Sequence, residues 1–194
     1  MNHIIVEDKL RDTNPVPVVI AFTPNYFIPA STCLYSIFAS LDTEEQMHVI
    51  CLLSEELPDR LKQKIQLIGG ERAQYSFINL QGRLQNIYID AKYTEAASYR
   101  LLLPDLLPEY DKVMYIDCDI IVRNNLVKLY RSVDLGNHYL AAVFEAPMDF
   151  QLGHLKAIGC HPDEYVNSGF LIMNLELMRR DNMVEKFRSE EHTS

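Results

Sequence analysis

The sequence predicts an α/β fold with a mostly parallel sheet flanked by helices. Apolar runs of strand length alternate along the chain with segments of helical periodicity, which is the pattern of an α/β domain. The strand-like runs are continuously apolar rather than alternating with polar residues, as is typical of strands that are covered on both faces. No linker rich in Pro, Gly or Ser divides the 194 residues, so we expect one domain.

The first strand and helix are expected at the start of this domain. Val16–Phe22 is a run of β-branched and other apolar residues that ends at the turn-like Thr-Pro-Asn, which indicates a buried strand. A helix is expected from Pro29 to about residue 41, because the fixed φ of proline suits a first helical turn, and Ser31 is expected to support that turn. His48–Ser54 is a second apolar run and predicts the second strand.

The middle of the chain repeats this alternation. Leucine and isoleucine recur at helical spacing between residues 57 and 68, and we expect Gly69 to end that helix. Ala73–Leu80 predicts the third strand. A further helix is expected from about Thr94, acting as its cap, to Pro104.

Three more strands and one helix complete the prediction. Lys112–Asp117 is the fourth strand, and the apolar runs Tyr139–Glu145 and Ser168–Asn174 are the next two. Leu175–Phe187 has helical periodicity and predicts a helix.

The acidic composition argues against several classes of partner. The formal net charge is −9, which disfavours docking on nucleic acid or on an anionic membrane. A phosphorylated substrate would therefore need a local cation, such as a metal ion. No apolar run has the length of a membrane span, and the N-terminal residues lack a signal-peptide core, so we expect a cytoplasmic protein. The four scattered cysteines fit reduced thiols in such a compartment.

The last residues read RSEEHTS, which resembles the translation of a widely used sequencing adapter. We therefore predict one domain at residues 1–187, incomplete at its C-terminus, and interpret residues 188–194 as adapter-derived. We expect no function from this tail.

Two carboxylates, Asp117 and Asp119, follow the fourth strand with only Cys118 between them. Residues two apart on an extended segment point to the same side, so the carboxylates can converge while Cys118 points away. Ligands bind beyond the carboxyl ends of strands in open α/β sheets, and like charges held close favour a compensating cation. Hard oxygen ligands suit Mg²⁺ or Mn²⁺. The alternative is that the aspartates only cap a turn or the next helix.

Three segments together resemble the family 8 glycosyltransferases. They are FTPNY at residues 22–26, ASYRLLLPDLLPEYDKVMYIDCDIIV at 97–122 and YVNSGFLIMNL at 165–175. The resemblance implies the GT-A fold, the Rossmann-like fold of nucleotide-diphospho-sugar transferases. It also implies transfer of a hexose from UDP-glucose or UDP-galactose with retention of configuration, Mn²⁺ or Mg²⁺ as cofactor, and a glycan or lipid-linked glycan, such as lipopolysaccharide, as acceptor.

The resemblance also implies roles for particular residues. The family's D-D-N-Y-like turn reads Thr23-Pro24-Asn25-Tyr26 here, so Asn25 and Tyr26 match while the acidic pair is replaced. Tyr26 would stack on uracil and Asn25 would bind the nucleoside, unless Tyr26 is only a packed aromatic residue. Arg100 would steady the sugar or an active-site carboxylate, unless it is a surface arginine.

The family's D-x-D motif and N-[AS]-G strand supply the other candidates. Asp117 and Asp119 match the metal ligands. Gly169 would let the backbone approach the sugar, unless Asn-Ser-Gly is merely a turn. The resemblance thus implies these residues for nucleotide-sugar binding: Thr23, Asn25, Tyr26, Arg100, Asp117, Cys118, Asp119, Glu145, Asn167 and Ser168.

The family's C-terminal catalytic elements do not occur in this sequence. They comprise a Gln-Asp pair, a metal-binding histidine and an HxxGxxKPW-like segment. We therefore expect weak or no activity from this chain, catalytic residues beyond Phe187, and any peripheral contact with the inner membrane through that region. Cys160 and His161 have no second pair at zinc spacing, which favours an ordinary loop.

Two alternatives from other classes of function stay open. One is an aspartyl-phosphate phosphatase or phosphotransferase, because such enzymes also carry D-x-D after a strand. The other is a non-catalytic module that binds nucleotide sugars.

Overall fold

The computed structural model describes residues 14–84, 95–157 and 159–189. Its six strands form a single sheet in the order β3-β2-β1-β4-β6-β5. The strands are β1 (Val16–Phe22), β2 (Met47–Leu53), β3 (Ala73–Asn79), β4 (Lys112–Asp117), β5 (Leu140–Phe144) and β6 (Val166–Asn174).

Most of the sheet is parallel, as the apolar runs predicted. β1 pairs in parallel with β2 and β4, and β2 pairs in parallel with β3. β6 runs antiparallel to both β4 and β5. Because of this reversal, the carboxyl ends of β1, β4 and β5 and the beginning of β6 lie at one edge of the sheet.

Helices cover both faces of the sheet. Among the residues that the structure describes, no helix is long and apolar enough to cross a membrane. The helices are α1 (Phe27–Ala39), α2 (Asp59–Gln66), α3 (Glu95–Ser98), α4 (Leu103–Leu106), α5 (Leu126–Ser132), α6 (Asp149–Ala157), α7 (Leu175–Arg180) and α8 (Met183–Ser189).

The start of α1 differs from the prediction. Pro24 opens a short 3-10 turn, so α1 already begins at Phe27 and Pro29 lies inside its first turn. Ser31 contacts the first turn from inside the helix, because its hydroxyl donates to the Phe27 carbonyl at 2.7 Å. Gly69 lies beyond the end of α2 with φ +85°, as expected of a glycine that stops a helix.

The helix expected from Thr94 to Pro104 is divided. Thr94 lies outside the described residues. A 3-10 segment, Tyr99–Leu102, separates α3 from α4. Pro104 does not end the helix; it lies in the first turn of α4, where the missing N–H has no helical partner to lose.

The helix predicted at residues 175–187 is two helices. Asn182 has φ 53° and breaks the chain direction between α7 and α8. α5 and α6 were not predicted. Cys160 and His161 follow α6 and lie outside helices and strands, as expected of a loop. His161 caps a 3-10 turn by accepting a bond from the Asp163 N–H at 3.3 Å.

Alternate residues of the central strand enter two separate hydrophobic clusters. Val18 and Ile20 pack on the α1 side of the sheet, with α2 and α5. Val19 and Ala21 pack on the opposite side, with α3, α4, α7 and α8. Burial on both faces explains why these runs are continuously apolar.

Arg179 on α7 ties together the segment that leads into β4. Its guanidinium nitrogens lie 3.0–3.3 Å from the carbonyl oxygens of Pro104, Leu107 and Tyr110. One nitrogen also lies 3.3 Å from an Asp111 carboxylate oxygen. The arginine thus binds carbonyls at the C-terminal end of α4, a favourable place for a cation.

We predict that Arg179→Ala lowers the free energy of unfolding by about 2 kcal/mol, because these carbonyls lose their hydrogen-bond donors. Urea denaturation followed by circular dichroism measures the loss. Arg180→Ala is the matched control and should cost less than about 0.5 kcal/mol, because the Arg180 side chain is 68% exposed and its ion pair is with its sequence neighbour Asp181. Equal losses in both variants would contradict this role for Arg179.

Candidate functional site

A cleft of about 150 Å³ opens where β1 and β4 end. Ala21 and Asp117 are register partners in the parallel β1–β4 pair, so the turn after β1 and the D-x-D segment after β4 emerge side by side. The residues that line the cleft are Ala21, Phe22, Thr23, Tyr26, Ala96, Ala97, Tyr115, Asp117, Cys118 and Asp119.

Both carboxylates of the D-x-D motif border this one cleft. Asp119 is exposed, and the Asp117 side chain is 37% exposed. Cys118 is buried and belongs to the hydrophobic cluster on the α1 side. Burial raises the pKa of the Cys118 thiol to about 11, and the neighbouring Asp119 and Asp117 carboxylates add to this increase. Cys118 therefore remains a neutral thiol between two acids.

The alternative role for the aspartates, capping the next helix, belongs to another residue. The Asn125 side chain accepts a hydrogen bond from the Lys128 N–H at 2.9 Å and caps α5. The described hydrogen bonds of the Asp117 side chain include one from Arg100. Asn125 therefore takes the capping role at α5, and Asp117 and Asp119 are both among the residues that line the cleft.

Arg100 links three parts of the site. Its Nε donates to the Ala97 carbonyl at 2.6 Å, one terminal nitrogen donates to the Ser168 carbonyl, and the other lies 3.4 Å from Asp117 Oδ1. Its guanidinium also stacks 4.5 Å from the centroid of the Tyr115 ring. The side chain is only 12% exposed, so the surface-arginine alternative is wrong. Arg100 therefore binds Asp117, one of the two carboxylates that line the cleft.

Gly169 allows this close arrangement on the opposite side of Asp117. A Cβ at position 169 would lie 2.7 Å from Asp117 Oδ2 and 3.1 Å from Asn167 Oδ1. Either distance is shorter than an ordinary van der Waals contact, so a side chain here would displace the carboxylate. The Gly169 N–H also donates to Asn167 Oδ1 at 2.8 Å. The glycine is therefore required by the position of Asp117.

Asn167 and Glu145 form a polar pair beside the cleft. The Asn167 amide donates to a Glu145 carboxylate oxygen at 3.1 Å, and both residues are exposed. The two residues come from the beginning of β6 and the end of β5, which meet at this edge. Neither lines the cleft, although Asn167 Oδ1 lies on the same side of Gly169 as Asp117.

The sequence-predicted residues thus divide into two groups. Thr23, Tyr26, Asp117, Cys118 and Asp119 line one cleft, with Arg100 in contact with Asp117. Tyr26 is 45% exposed and borders the cleft. The other four lie at the margin: Asn25, Glu145, Asn167 and Ser168.

Sequence reasoning missed several residues of the cleft. Ala96 and Ala97 precede Arg100 by one helical turn, and their small side chains leave space next to Tyr115. A search of the Arg100 helix for residues three or four positions earlier would have found both alanines. Burial raises the pKa of Tyr115 well above its usual range, so its hydroxyl stays neutral.

The two carboxylates fit a divalent cation whose remaining ligands come from substrate phosphates and water. Among the described residues, no group of three or more His, Cys, Asp and Glu side chains could hold a metal ion by itself. Mg²⁺ is commonly bound by one or two carboxylates together with substrate phosphates and water. Asp117 and Asp119 provide those two carboxylates in an open cleft.

Comparison with known proteins supports the predicted GT-A fold. The chain is 24% identical over 180 residues to general stress protein A of Bacillus subtilis, covering 91% of this chain and 62% of that protein. It resembles the bifunctional glycosyltransferase WbbM with a TM-score of 0.77 at 24% identity, covering 97% of this chain and 35% of WbbM. The galactosyltransferase LgtC, solved with donor and acceptor sugar analogues, gives a TM-score of 0.70 at 25% identity, covering 89% of this chain and 65% of LgtC.

The predicted GT-A fold is confirmed by these glycosyltransferase neighbours and by the mixed α/β sheet. The chain spans 62% of the length of the B. subtilis relative. The model of the family named Glycosyl transferase family 8 matches residues 17–190. This match includes β4 with the D-x-D motif, the 3-10 segment that carries Arg100, and β6 with Gly169. The chain therefore belongs to glycosyl transferase family 8.

Proposed function

We propose that this chain is the donor-binding part of a metal-dependent glycosyltransferase. The enzyme transfers a hexose from UDP-glucose or UDP-galactose to a hydroxyl group of a glycan or lipid-linked glycan, with retention of configuration. The observation that carries the proposal is that Asp117 and Asp119 line one cleft at the carboxyl edge of the sheet. Membership of family 8 supports the transferase class.

Asp117 and Asp119 would hold Mn²⁺ or Mg²⁺ against the diphosphate of the donor. The bound cation supplies Lewis-acid stabilisation of the diphosphate as it leaves. An acidic protein with a net charge of −9 needs this compensation. Arg100 holds Asp117 in place through its 3.4 Å contact with Oδ1, which leaves Oδ2 on the side of Gly169.

The remaining residues of the site would select and orient the donor. Tyr26 borders the cleft and offers an exposed ring on which uracil can stack, with Thr23 and Asn25 as polar neighbours. The hydrogen-bonded pair of Asn167 and Glu145 offers an amide and a carboxylate to sugar hydroxyls beside Asp117. Loss of the family's acidic pair at Thr23 and Pro24 weakens selection of uridine.

Turnover by this chain is proposed to be slow, because it lacks the family's C-terminal catalytic segments. We place the reaction in the cytoplasm, in keeping with four free cysteines. Binding of UDP–Mn²⁺ without turnover in any longer form of the protein would favour the non-catalytic module instead.

We predict that Asp117→Asn weakens Mn²⁺-dependent UDP binding at least tenfold, because it removes a charged ligand and leaves Arg100 without its anion. Isothermal titration of UDP into the chain with Mn²⁺ measures this affinity. Asp105→Asn, at an exposed position on α4, is the control and should bind like the wild type. Unchanged binding in Asp117→Asn, or wild-type binding that survives EDTA, would refute the metal-dependent site.

Gly169→Ala provides a second test of the same geometry. The new methyl group would lie 2.7 Å from Asp117 Oδ2, so the carboxylate must move and the affinity for UDP–Mn²⁺ should fall about tenfold or more. Gly153→Ala on α6 is the matched control, because its Cβ meets no atom within 4 Å. Wild-type affinity in Gly169→Ala would show that the position of Asp117 does not limit binding.

A further inference from the structure

The segment that carries Asp119 has no regular secondary structure of its own. β4 ends at Asp117 and α5 begins at Leu126. The residues between them form the loop of residues 118–125, which also borders the cleft. Two ligands from a loop and a strand end can bind one ion only if the loop is held in place. The contacts that hold this loop therefore determine where Asp119 lies relative to Asp117.

Ser36 on α1 bonds directly to the loop. Its hydroxyl oxygen accepts a hydrogen bond from the Val122 N–H at 2.9 Å. The same hydroxyl donates its proton to the Cys33 carbonyl at 2.7 Å. Because the hydroxyl uses its proton within α1, its oxygen is oriented as an acceptor towards Val122.

Cys33, one helical turn earlier, bonds to the beginning of the same loop. Its Sγ lies 3.8 Å from the Asp117 carbonyl oxygen, as a donor. Cys33 is fully buried. Contacts from α1 therefore reach the backbone on both sides of Asp119, at 117 through Cys33 and at 122 through Ser36.

A third contact extends this row. The Ser40 hydroxyl lies 3.1 Å from the Asn124 carbonyl oxygen. The three residues recur at helical spacing and face the loop. Cys33 and Ser36 lie on α1, and Ser40 follows its last residue. None of the three is among the residues that line the cleft.

We propose that Ser36, supported by Cys33, is a positioning residue that fixes the D-x-D loop so that Asp119 meets the same cation as Asp117. This inference rests on the proposed function for the cation and goes beyond it by assigning the geometry of the pair to α1. Ser36 acts through the Val122 backbone and touches neither donor nor cation.

The chain offers a conservative variant and a matched control. Ser36 borders an open surface groove with Tyr35, Ala39 and Ile121, so Ser36→Thr adds a methyl group where space exists and retains the hydroxyl. Ser31 lies on the same helix, and its hydroxyl donates to the Phe27 carbonyl without reaching the loop. Ser31→Ala therefore removes a comparable helical hydrogen bond.

Two measurements on the full chain test the proposal. Amide hydrogen exchange at Val122, followed by NMR, should be at least tenfold faster in Ser36→Ala than in the wild type, because the amide loses its acceptor. The affinity for UDP–Mn²⁺ should fall about tenfold in the same variant. Ser36→Thr should restore both values, and Ser31→Ala should change neither.

The outcomes separate this inference from the proposed function. Unchanged Val122 exchange in Ser36→Ala overturns the claim that Ser36 fixes the loop. Faster exchange with wild-type affinity overturns its positioning role. If Ser36→Ala unfolds, Ser36→Val, which matches Ser36→Thr in shape but has no acceptor, must show faster exchange than Ser36→Thr. A wild-type chain without affinity for UDP–Mn²⁺ refutes the proposed function and, with it, the role of Ser36 in cation binding, while the exchange result still decides whether the loop is fixed.

Discussion

The site depends on how one carboxylate is held at the end of a buried strand. Asp117 contacts the Arg100 guanidinium through Oδ1, and its Oδ2 lies against the backbone of Gly169. The arginine thus contacts the carboxylate on one side, and the absence of a side chain at Gly169 leaves room for it on the other. Arg100 in turn is fixed by the carbonyls of Ala97 and Ser168. The carboxylate therefore joins a helix, the central sheet and the antiparallel strand β6.

The topology of the sheet brings these groups together. The parallel pairing of β1 and β4 places the turn at Thr23–Tyr26 beside the D-x-D segment, because both follow strands that end at one edge. The reversal at β6 brings residues 166–169 to that same edge from the opposite direction. α1, which follows the β1 turn, then packs under the loop after β4 and bonds to it through Ser36. Residues far apart in sequence thus meet because of strand direction.

Much of this arrangement could be predicted from the sequence. Continuous apolar runs indicated all six strands, and the position of Asp117 and Asp119 after a buried strand indicated a site at the end of that strand. The expected alternation did not hold, because β4 ends at Asp117 and Cys118 lines the same cleft as both aspartates. The 3-10 turn at Pro24 and the break at Asn182 were missed, because local capping and a positive φ decide them rather than hydrophobic periodicity. α6 was missed because its apolar residues, such as Phe150, are largely exposed and give no clear buried stripe. The family resemblance implied that Arg100 would steady the sugar or an active-site carboxylate, but its bond to the Ser168 carbonyl depends on the placement of β6, which no local pattern encodes.

The central claim is that Asp117, Asp119 and the diphosphate of a sugar donor bind the same divalent cation. The most direct measurement is a crystal structure of the chain grown with UDP and Mn²⁺, in which anomalous scattering locates the metal. The account predicts a single Mn²⁺ within bonding distance of both carboxylates and of the diphosphate oxygens. A metal bound away from the two aspartates, or a diphosphate seated elsewhere on the protein, would contradict it.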